Sequence, residues 1–247
     1  TSSLVGSEMC IRDSYQRLEG MVAATFTPMD ARGDINLSVI DKYADLMAES
    51  GMAGVFICGT TGESHSLTTG ERKAILAQWI KSARKRFKVI AHVGSNCQLE
   101  AMELARHAQE VEADAFAAMA PCFFKPSSVK DLVDFFTPIA QSAPDLPFYY
   151  YHIPAFNGAF LSMVAFLEAV DGRIPNFAGI KYTFESMYEY NQCRLYKGGK
   201  FDMLHGQDET ILPCLAMGGA QGGIGGTTNY NGVNLVGIIE ALSLIHI

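Results

Sequence analysis

The chain has 247 residues and a formal net charge of −7, with 49% hydrophobic and 18% charged residues. This negative balance argues against a nucleic-acid partner, because phosphate backbones are bound by clustered Lys and Arg. No apolar run approaches the ~20 residues that a membrane-spanning helix needs, so we expect no membrane partner. A chain of this length suits one large α/β domain.

The six cysteines are scattered, without a CxxC pair or metal-ligand spacing. This distribution predicts buried, reduced thiols in a cytoplasmic protein, and no metal site. Residues 1–14 have no periodicity and no secretory h-region, and residues 243–247 follow a helix-like segment that lacks a cap. We expect both ends to be non-native tails and exclude them from the fold.

From Gly20 onward, short β-rich runs alternate with segments of helical periodicity. The predicted strands are residues 21–26, 54–58, 88–93, 115–120, 147–152, 176–181, 201–205 and 221–225. The predicted helices are residues 36–50, 68–87, 98–111, 128–142, 161–170, 184–195, 207–217 and a shortened 233–242. Thr68 and Glu71 fit a capping box at the start of the second helix.

Eight strand–helix units predict a parallel sheet closed into a (β/α)8 TIM barrel over residues 20–242. A doubly wound sheet is the alternative, although it normally uses fewer units and needs a switch point. Barrel chemistry takes place at the carboxyl ends of the strands. The unusual residues fall at these ends: Gly59-Thr60-Thr61-Gly62-Glu63, Tyr151-His152, Lys181, Gly206-Gln207-Asp208-Glu209 and Gly225-Gly226-Thr227-Thr228.

Lys181 ends an apolar run that has the pattern of a buried strand. Loss of hydration there disfavours the charged amine and lowers its pKa, and a neutral lysine can form a Schiff base with a ketone. A strand-end lysine that merely reaches solvent is the alternative.

The turn from Gly59 to Glu63 places two threonine hydroxyls and two glycines before a helix. Backbone amides in such a turn can bind a carboxylate, although an ordinary βα turn fits equally well. Strand alternation places Tyr149 and Tyr151 on one face and Tyr150 on the other. Tyr151 could therefore shuttle protons in the barrel mouth, or it could serve only as packing.

Asp208 and Glu209 are adjacent and do not face each other on a helix, so they suit hydrogen bonding to substrate hydroxyls better than paired acid catalysis. Acids that favour a helix start are the alternative. The Gly222-Gly223-Ile224-Gly225-Gly226 run is only a weak phosphate signal, because no basic residue follows it. No GxSxG elbow or metal-ligand spacing is present.

The Gly59–Glu63 turn, Tyr151 with Ile153-Pro154, and Gly179-Ile180-Lys181 together resemble the pyruvate-dependent class I aldolase family of N-acetylneuraminate lyase and dihydrodipicolinate synthase. The resemblance implies that Lys181 forms a Schiff base and that no other cofactor is needed. It also implies that Thr60 and Thr61 bind the pyruvate carboxylate and that Tyr151, held by Thr61, shuttles protons.

Within this family, the Tyr-Tyr-Tyr-His-Ile-Pro run at residues 149–154 is similar to that of the sialic acid lyases. The synthase branch has an arginine where this chain has Phe156, which cannot pair with a second carboxylate. The resemblance assigns sugar contacts to a set of residues that border the predicted mouth: Thr183, Gly206, Asp208, Glu209 and Gly226.

Two residues depart from the family pattern. The lyases carry a serine where this chain has Gly226, and family members often supply an interfacial tyrosine near Phe123. The family also continues with further helices that help form a homotetramer, so we expect a barrel truncated after its eighth strand.

The resulting expectation is an enzyme that cleaves sialic acid, N-acetylneuraminate, reversibly to N-acetylmannosamine and pyruvate. Another 2-keto acid aldolase or hydratase, a synthase-like enzyme, and an inactive keto-acid-binding fragment are the alternatives.

Overall fold

The computed structural model describes residues 16–218 and 222–245, with side chains to residue 242. The first predicted tail, residues 1–14, lies outside the described residues, as do Gln221 of the predicted eighth strand and the last two residues of the second tail. Residues 243–245 continue the final helix.

Eight parallel strands form a closed barrel in sequence order. They are β1 (Gly20–Ala24), β2 (Gly54–Ile57), β3 (Lys88–His92), β4 (Ala115–Met119), β5 (Phe148–His152), β6 (Phe177–Tyr182), β7 (Asp202–His205) and β8 (Gly222–Gly225). The ring closes where β1 pairs with β8, from Gly20 opposite Gly222 to Ala23 opposite Gly225. The predicted barrel is confirmed, and the doubly wound alternative is wrong because the sheet has no open edge.

A helix follows every strand. The helices are α1 (Ile40–Glu49), α2 (Thr69–Ala83), α3 (Gln98–Glu110), α4 (Val129–Gln141), α5 (Pro154–Asn157), α6 (Met163–Val170), α7 (Met187–Leu195), α8 (Ile211–Ala216) and α9 (Thr228–Ile245). The predicted capping box is present, since Thr68 accepts from the Glu71 amide and the Glu71 carboxylate accepts from the Thr68 amide. None of the described helices is long and apolar enough to span a membrane.

Two helices differ from the sequence-based expectation. The short α5 was not predicted, because one turn is too brief to show helical periodicity. The final helix begins at Thr228 instead of residue 233, has a kink at Asn231, whose φ of −126° is not helical, and packs against β1. Within the described residues the barrel therefore does not stop at its eighth strand.

The core consists of two layers because successive strand residues point to opposite sides of the sheet. The outer layer lies between strands and helices and contains large side chains such as Trp79 and Phe136. The inner layer fills the barrel and includes Phe56, Tyr149 and Tyr151. As predicted, Tyr150 faces the outer layer, away from its two tyrosine neighbours.

Candidate active site

Lys181 lies inside the barrel near the carboxyl end of β6, with only 3% of its surface exposed. Its register partners on the neighbouring strands are Tyr151 and Leu204. The predicted placement of this lysine at a strand end is therefore confirmed.

A β-bulge turns Lys181 inward. Consecutive residues of β5 pair with Phe177 and Gly179 of β6, so Ala178 is an extra residue in the strand. In a regular strand Lys181 would share the face of Phe177, which packs in the outer layer. The extra residue reverses the alternation and aims the amine into the barrel.

Gly179 permits the close strand approach at this bulge. A Cβ at this position would lie 1.9 Å from the Asp202 carbonyl oxygen on β7, so the strands could not keep this spacing with any side chain here. A glycine inside an apolar strand is the sequence signal for such a feature.

The Lys181 amine is held between two aromatic rings. Its Nζ lies 4.0 Å from the centroid of Phe56 and 3.9 Å from that of Tyr151. No described residue gives Nζ a hydrogen bond or an ion pair. Burial lowers the pKa of Lys181 to about 7, although the Asp208 carboxylate opposes this shift. A large fraction of the amine is therefore uncharged and nucleophilic at neutral pH.

Tyr151, whose ring lies beside this amine, carries a hydroxyl group. Its oxygen lies 3.2 Å from Thr60 Oγ1, so the prediction that Thr61 holds the tyrosine is wrong. The two threonines point in different directions, and only the first reaches β5. Burial raises the pKa of Tyr151, while Thr60 and Thr183 lower it. The phenol therefore stays protonated at neutral pH and can relay a proton.

The Gly59–Glu63 turn is closed by its own backbone. The Glu63 amide donates to the Thr60 carbonyl at 3.0 Å, and the Ser64 amide donates to Gly59 at 3.2 Å. The backbone N–H groups of Thr60 and Thr61 donate to no described residue and remain available at the mouth. Two free amides beside two hydroxyls suit a carboxylate.

Thr61 faces the opposite side of the mouth from Tyr151. A Cβ built on Gly226 would lie 3.2 Å from Thr61 Oγ1. The turn after β2 and the turn after β8 therefore meet here.

Asp208 borders the mouth above β8. Its Oδ2 accepts hydrogen bonds from the Thr227 amide at 2.8 Å and the Thr227 hydroxyl at 2.7 Å. A Cβ on Gly225 would overlap Asp208 Oδ1 at 1.5 Å. The glycine-rich run thus forms β8 and makes room for Asp208, and does not form a separate phosphate turn.

The remaining predicted sugar contacts are Thr183, Gly206 and Glu209. Thr183 Oγ1 is buried and has no well-aligned hydrogen bond with a described residue. A Cβ on Gly206 would lie 1.9 Å from this oxygen, so the two residues are in close contact. Glu209 is exposed on the rim.

Sequence reasoning did not identify Phe56, Thr227 and His92 as site residues. Phe56 and His92 look like core residues in strand patterns, and Thr227 follows a glycine run whose conformation was unknown. Only the distances across the barrel reveal their contacts. Among the residues that the structure describes, no group of three or more His, Cys, Asp or Glu side chains could hold a metal ion.

The departures at Phe123 and Phe156 lie at the rim. Phe123 is 76% exposed, and Phe156 is 69% exposed on α5. Phe156 borders a cavity of about 200 Å³ together with Thr60. The rim therefore carries the aromatic ring of Phe156 at the position where an arginine would be needed to pair with a second carboxylate.

Comparison with known proteins identifies the family. Residues 17–244 match the dihydrodipicolinate synthetase family. The chain is 41% identical over 229 residues to human N-acetylneuraminate lyase, covering 92% of this chain and 71% of that protein.

Two solved structures share the fold closely. Proteus mirabilis N-acetylneuraminate lyase has a TM-score of 0.90 and 38% identity, covering 93% of this chain and 77% of its own. N-acetylneuraminate lyase, a sialic acid aldolase, from Aliivibrio salmonicida has a TM-score of 0.90 and 39% identity, covering 94% and 76%.

The chain belongs to the dihydrodipicolinate synthetase family of class I aldolases. Its relatives favour an enzyme of the N-acetylneuraminate lyase type over the synthase-like and non-catalytic alternatives.

Proposed function

We propose that the protein cleaves N-acetylneuraminate reversibly to N-acetylmannosamine and pyruvate through a Schiff base on Lys181. The observation that carries this proposal is the buried amine, which lies 3.9 Å from the ring of Tyr151 and makes no hydrogen bond or ion pair with a described residue. An amine with a pKa of about 7 can attack a ketone without a separate base.

The first step joins the enzyme to the substrate. The Lys181 lone pair attacks C2 of the open-chain keto acid, and the former carbonyl oxygen leaves as water after taking one proton from the amine and one from solvent. The product is an iminium ion, which accepts the electron pair released when the C3–C4 bond breaks.

The second step needs a proton relay. The Tyr151 oxygen takes the proton of the C4 hydroxyl as its own proton passes through Thr60 to the substrate carboxylate. N-acetylmannosamine leaves as an aldehyde, and the remaining enamine is protonated at C3 and hydrolysed to pyruvate. Positioned proton transfer of this kind contributes about 10²–10⁴-fold to the rate.

Two groups of residues divide recognition between them. The free amides and hydroxyls of Thr60 and Thr61 anchor the carboxylate. Oxygen-bearing side chains and close backbone elsewhere at the mouth contact the sugar hydroxyls, namely Thr183, Gly206, Asp208, Glu209 and Gly226. Phe156 makes the binding of a second carboxylate unfavourable, because its side chain offers no hydrogen-bond donor.

The remaining features of this proposal concern the whole protein. The covalent lysine adduct makes a separate cofactor unnecessary. We also propose residues 20–242 as the catalytic domain, a homotetramer as the assembly, and the cytoplasm as the location.

A substrate comparison tests the proposed function. Purified protein is incubated with N-acetylneuraminate, with 2-keto-3-deoxy sugar acids, or with pyruvate and aspartate semialdehyde, and Lys181→Met serves as the matched control. We expect pyruvate release from N-acetylneuraminate to exceed release from the other acids by at least tenfold in kcat/KM. Faster cleavage of a deoxy sugar acid, or consumption of the semialdehyde, would contradict the assigned substrate.

A further inference from the structure

His92 lies directly behind the two rings that hold the lysine. It is buried at the end of β3, where its ring centroid lies 5.8 Å from that of Phe56 and 5.7 Å from that of Tyr151. The contact with Tyr151 is perpendicular, at 88°. His92 thus supports both rings that contact Lys181 without touching the amine's reaction space itself.

The same imidazole is bonded to the turn after β2. His92 Nδ1 lies 2.8 Å from the carbonyl oxygen of Cys58. Because a carbonyl can only accept, Nδ1 carries the proton. Burial, helped by the nearby Arg72 charge, lowers the pKa of His92 well below its usual value, which keeps the ring neutral.

Cys58 has an unusual backbone conformation. Its φ of 52° lies in the left-handed region, which is strained for a non-glycine residue. Cys58 immediately precedes the Gly59–Glu63 turn, whose Thr60 meets Tyr151. The hydrogen bond from His92 therefore fixes the strained residue from which the carboxylate turn begins.

Two contacts prevent the ring from moving. The Arg72 guanidinium donates to the carbonyls of His92 at 2.7 Å and Gly94 at 3.0 Å, so it clamps the backbone on both sides. A Cβ on Gly94 would lie 2.7 Å from His92 Nε2, which means that the backbone closes over the ring edge. Nε2 itself is buried and has no partner among the described residues.

We propose that His92 is a positioning residue for carbon–carbon bond cleavage, which holds the Tyr151 ring and the Cys58-Gly59-Thr60 turn in register with Lys181. The inference rests on the proposed function and extends it to a residue that touches no reacting atom. The two contacts of His92 have separable consequences: the ring contact governs the proton relay, and the Nδ1 hydrogen bond governs the carboxylate anchor.

Two substitutions separate these contacts. His92→Asn keeps an N–H near the Nδ1 position but removes the ring behind Tyr151, so we expect kcat to fall about 10–100-fold while KM for pyruvate stays within about twofold. His92→Phe keeps a ring but leaves the Cys58 carbonyl unpaired, so we expect KM for pyruvate to rise about tenfold or more with a smaller change in kcat. Both constants are measured in the condensation direction and normalised to the sites trapped by borohydride with pyruvate.

His152 provides the matched control, since it is another buried strand-end histidine but packs in the outer layer against Tyr182 and Phe184. We expect His152→Asn to retain parental kcat and KM per trapped site. Parental constants in both His92 variants, or the same loss in His152→Asn, would overturn the proposal.

Nitrogen-15 NMR of the histidine rings gives a readout that needs no activity and no variant. We expect His92 to remain the neutral Nδ1–H tautomer from pH 5.5 to 8.5, although Cys58, Arg72, Tyr151 and Lys181 all face it and His65 lies nearby. A charged ring or an Nε2–H tautomer in this range would overturn the proposal even if a variant failed to fold. Failure of the parent protein to be trapped by pyruvate would instead contradict the proposed function.

Discussion

The two ends of the barrel bury Asp202 and Lys181, which lie on the neighbouring strands β7 and β6 and differ in their hydrogen-bond partners. At the amino end, Asp202 is 4% exposed and accepts hydrogen bonds from the Leu18 amide at 3.1 Å and the Tyr149 hydroxyl at 3.0 Å. At the carboxyl end, Lys181 is 3% exposed, and its amine lies against the faces of two aromatic rings without a hydrogen bond to a described residue.

This difference separates stability from reactivity. Burial raises the pKa of Asp202 above its ordinary value, and the Leu18 amide and Tyr149 hydroxyl that donate to the carboxylate limit this rise. At the upper end the described residues give the Lys181 amine no hydrogen bond, and burial lowers its pKa to about 7 although the Asp208 carboxylate opposes the shift. A buried polar group with its partners holds a fold together, whereas one without them is available for chemistry.

The largest effect is expected from Lys181→Met. Loss of the amine should abolish Schiff-base formation, and it should also stabilise the protein, because the buried amine is costly when charged. The folded pKa of about 7 lies below the unfolded value of about 10.5, so the stability cost is complete below pH 7 and disappears as pH rises to about 10.5. We expect a gain of about 5 kcal/mol in the free energy of unfolding at pH 6, measured by urea denaturation.

The pH dependence distinguishes this explanation from simple repacking. The gain should shrink when the same urea measurement is made at pH 9.5. An equal gain at both pH values would show that the amine's charge is not the cause.

The next largest effect is expected when tyrosine is replaced by phenylalanine at either end of β5. Tyr151→Phe removes the relay hydroxyl at the mouth, so kcat should fall about 10²–10⁴-fold while pyruvate is still trapped. Tyr149→Phe removes the hydroxyl that donates to Asp202, so it should cost about 1 kcal/mol in unfolding free energy and leave kcat unchanged. Steady-state kinetics give kcat, and urea denaturation gives the free energy of unfolding, for both variants. A similar kcat for both would contradict the assignment of chemistry to the carboxyl end and stability to the amino end.

A smaller effect is expected from Asp202→Ala. The Leu18 amide and the Tyr149 hydroxyl would lose their shared acceptor inside the barrel. Loss of a shared buried acceptor costs roughly 1–3 kcal/mol, so the thermal midpoint should fall by several degrees. The activity per folded molecule should not change, and a drop in kcat at full folding would show that the lower end also contributes to chemistry.

The order of the barrel could be predicted from the sequence because each strand and helix has its own periodicity, and closure follows from eight such units. The side of the strand that Lys181 faces could not be predicted in this way. Alternation counted from Phe177 directs the lysine outward, and the bulge at Ala178 reverses it. Gly179 indicates an irregularity in the strand, but it does not indicate which side of the strand Lys181 faces as a result.

The site residues show the same limit. Tyr151 followed from alternation along one strand, whereas its partner required knowing which way each threonine of a turn points. Thr227 was missed as the donor to Asp208, because a contact between two loops leaves no local pattern. Periodicity reports the faces of regular elements, and contacts between turns depend on dihedral angles that composition does not determine.

The reactivity of Lys181 is tested most directly by reductive trapping. The protein is treated with pyruvate and borohydride over pH 5.5–8.5, the modified peptide is mapped by mass spectrometry, and the initial rate is recorded at each pH. We expect one adduct, on Lys181, with a rate that rises about tenfold per pH unit below pH 7 and levels off above it, because the free amine is the attacking form. An adduct on another lysine, or no adduct in folded protein, would contradict the claim that the buried Lys181 amine, which has no hydrogen bond to a described residue, is the reactive group of this barrel.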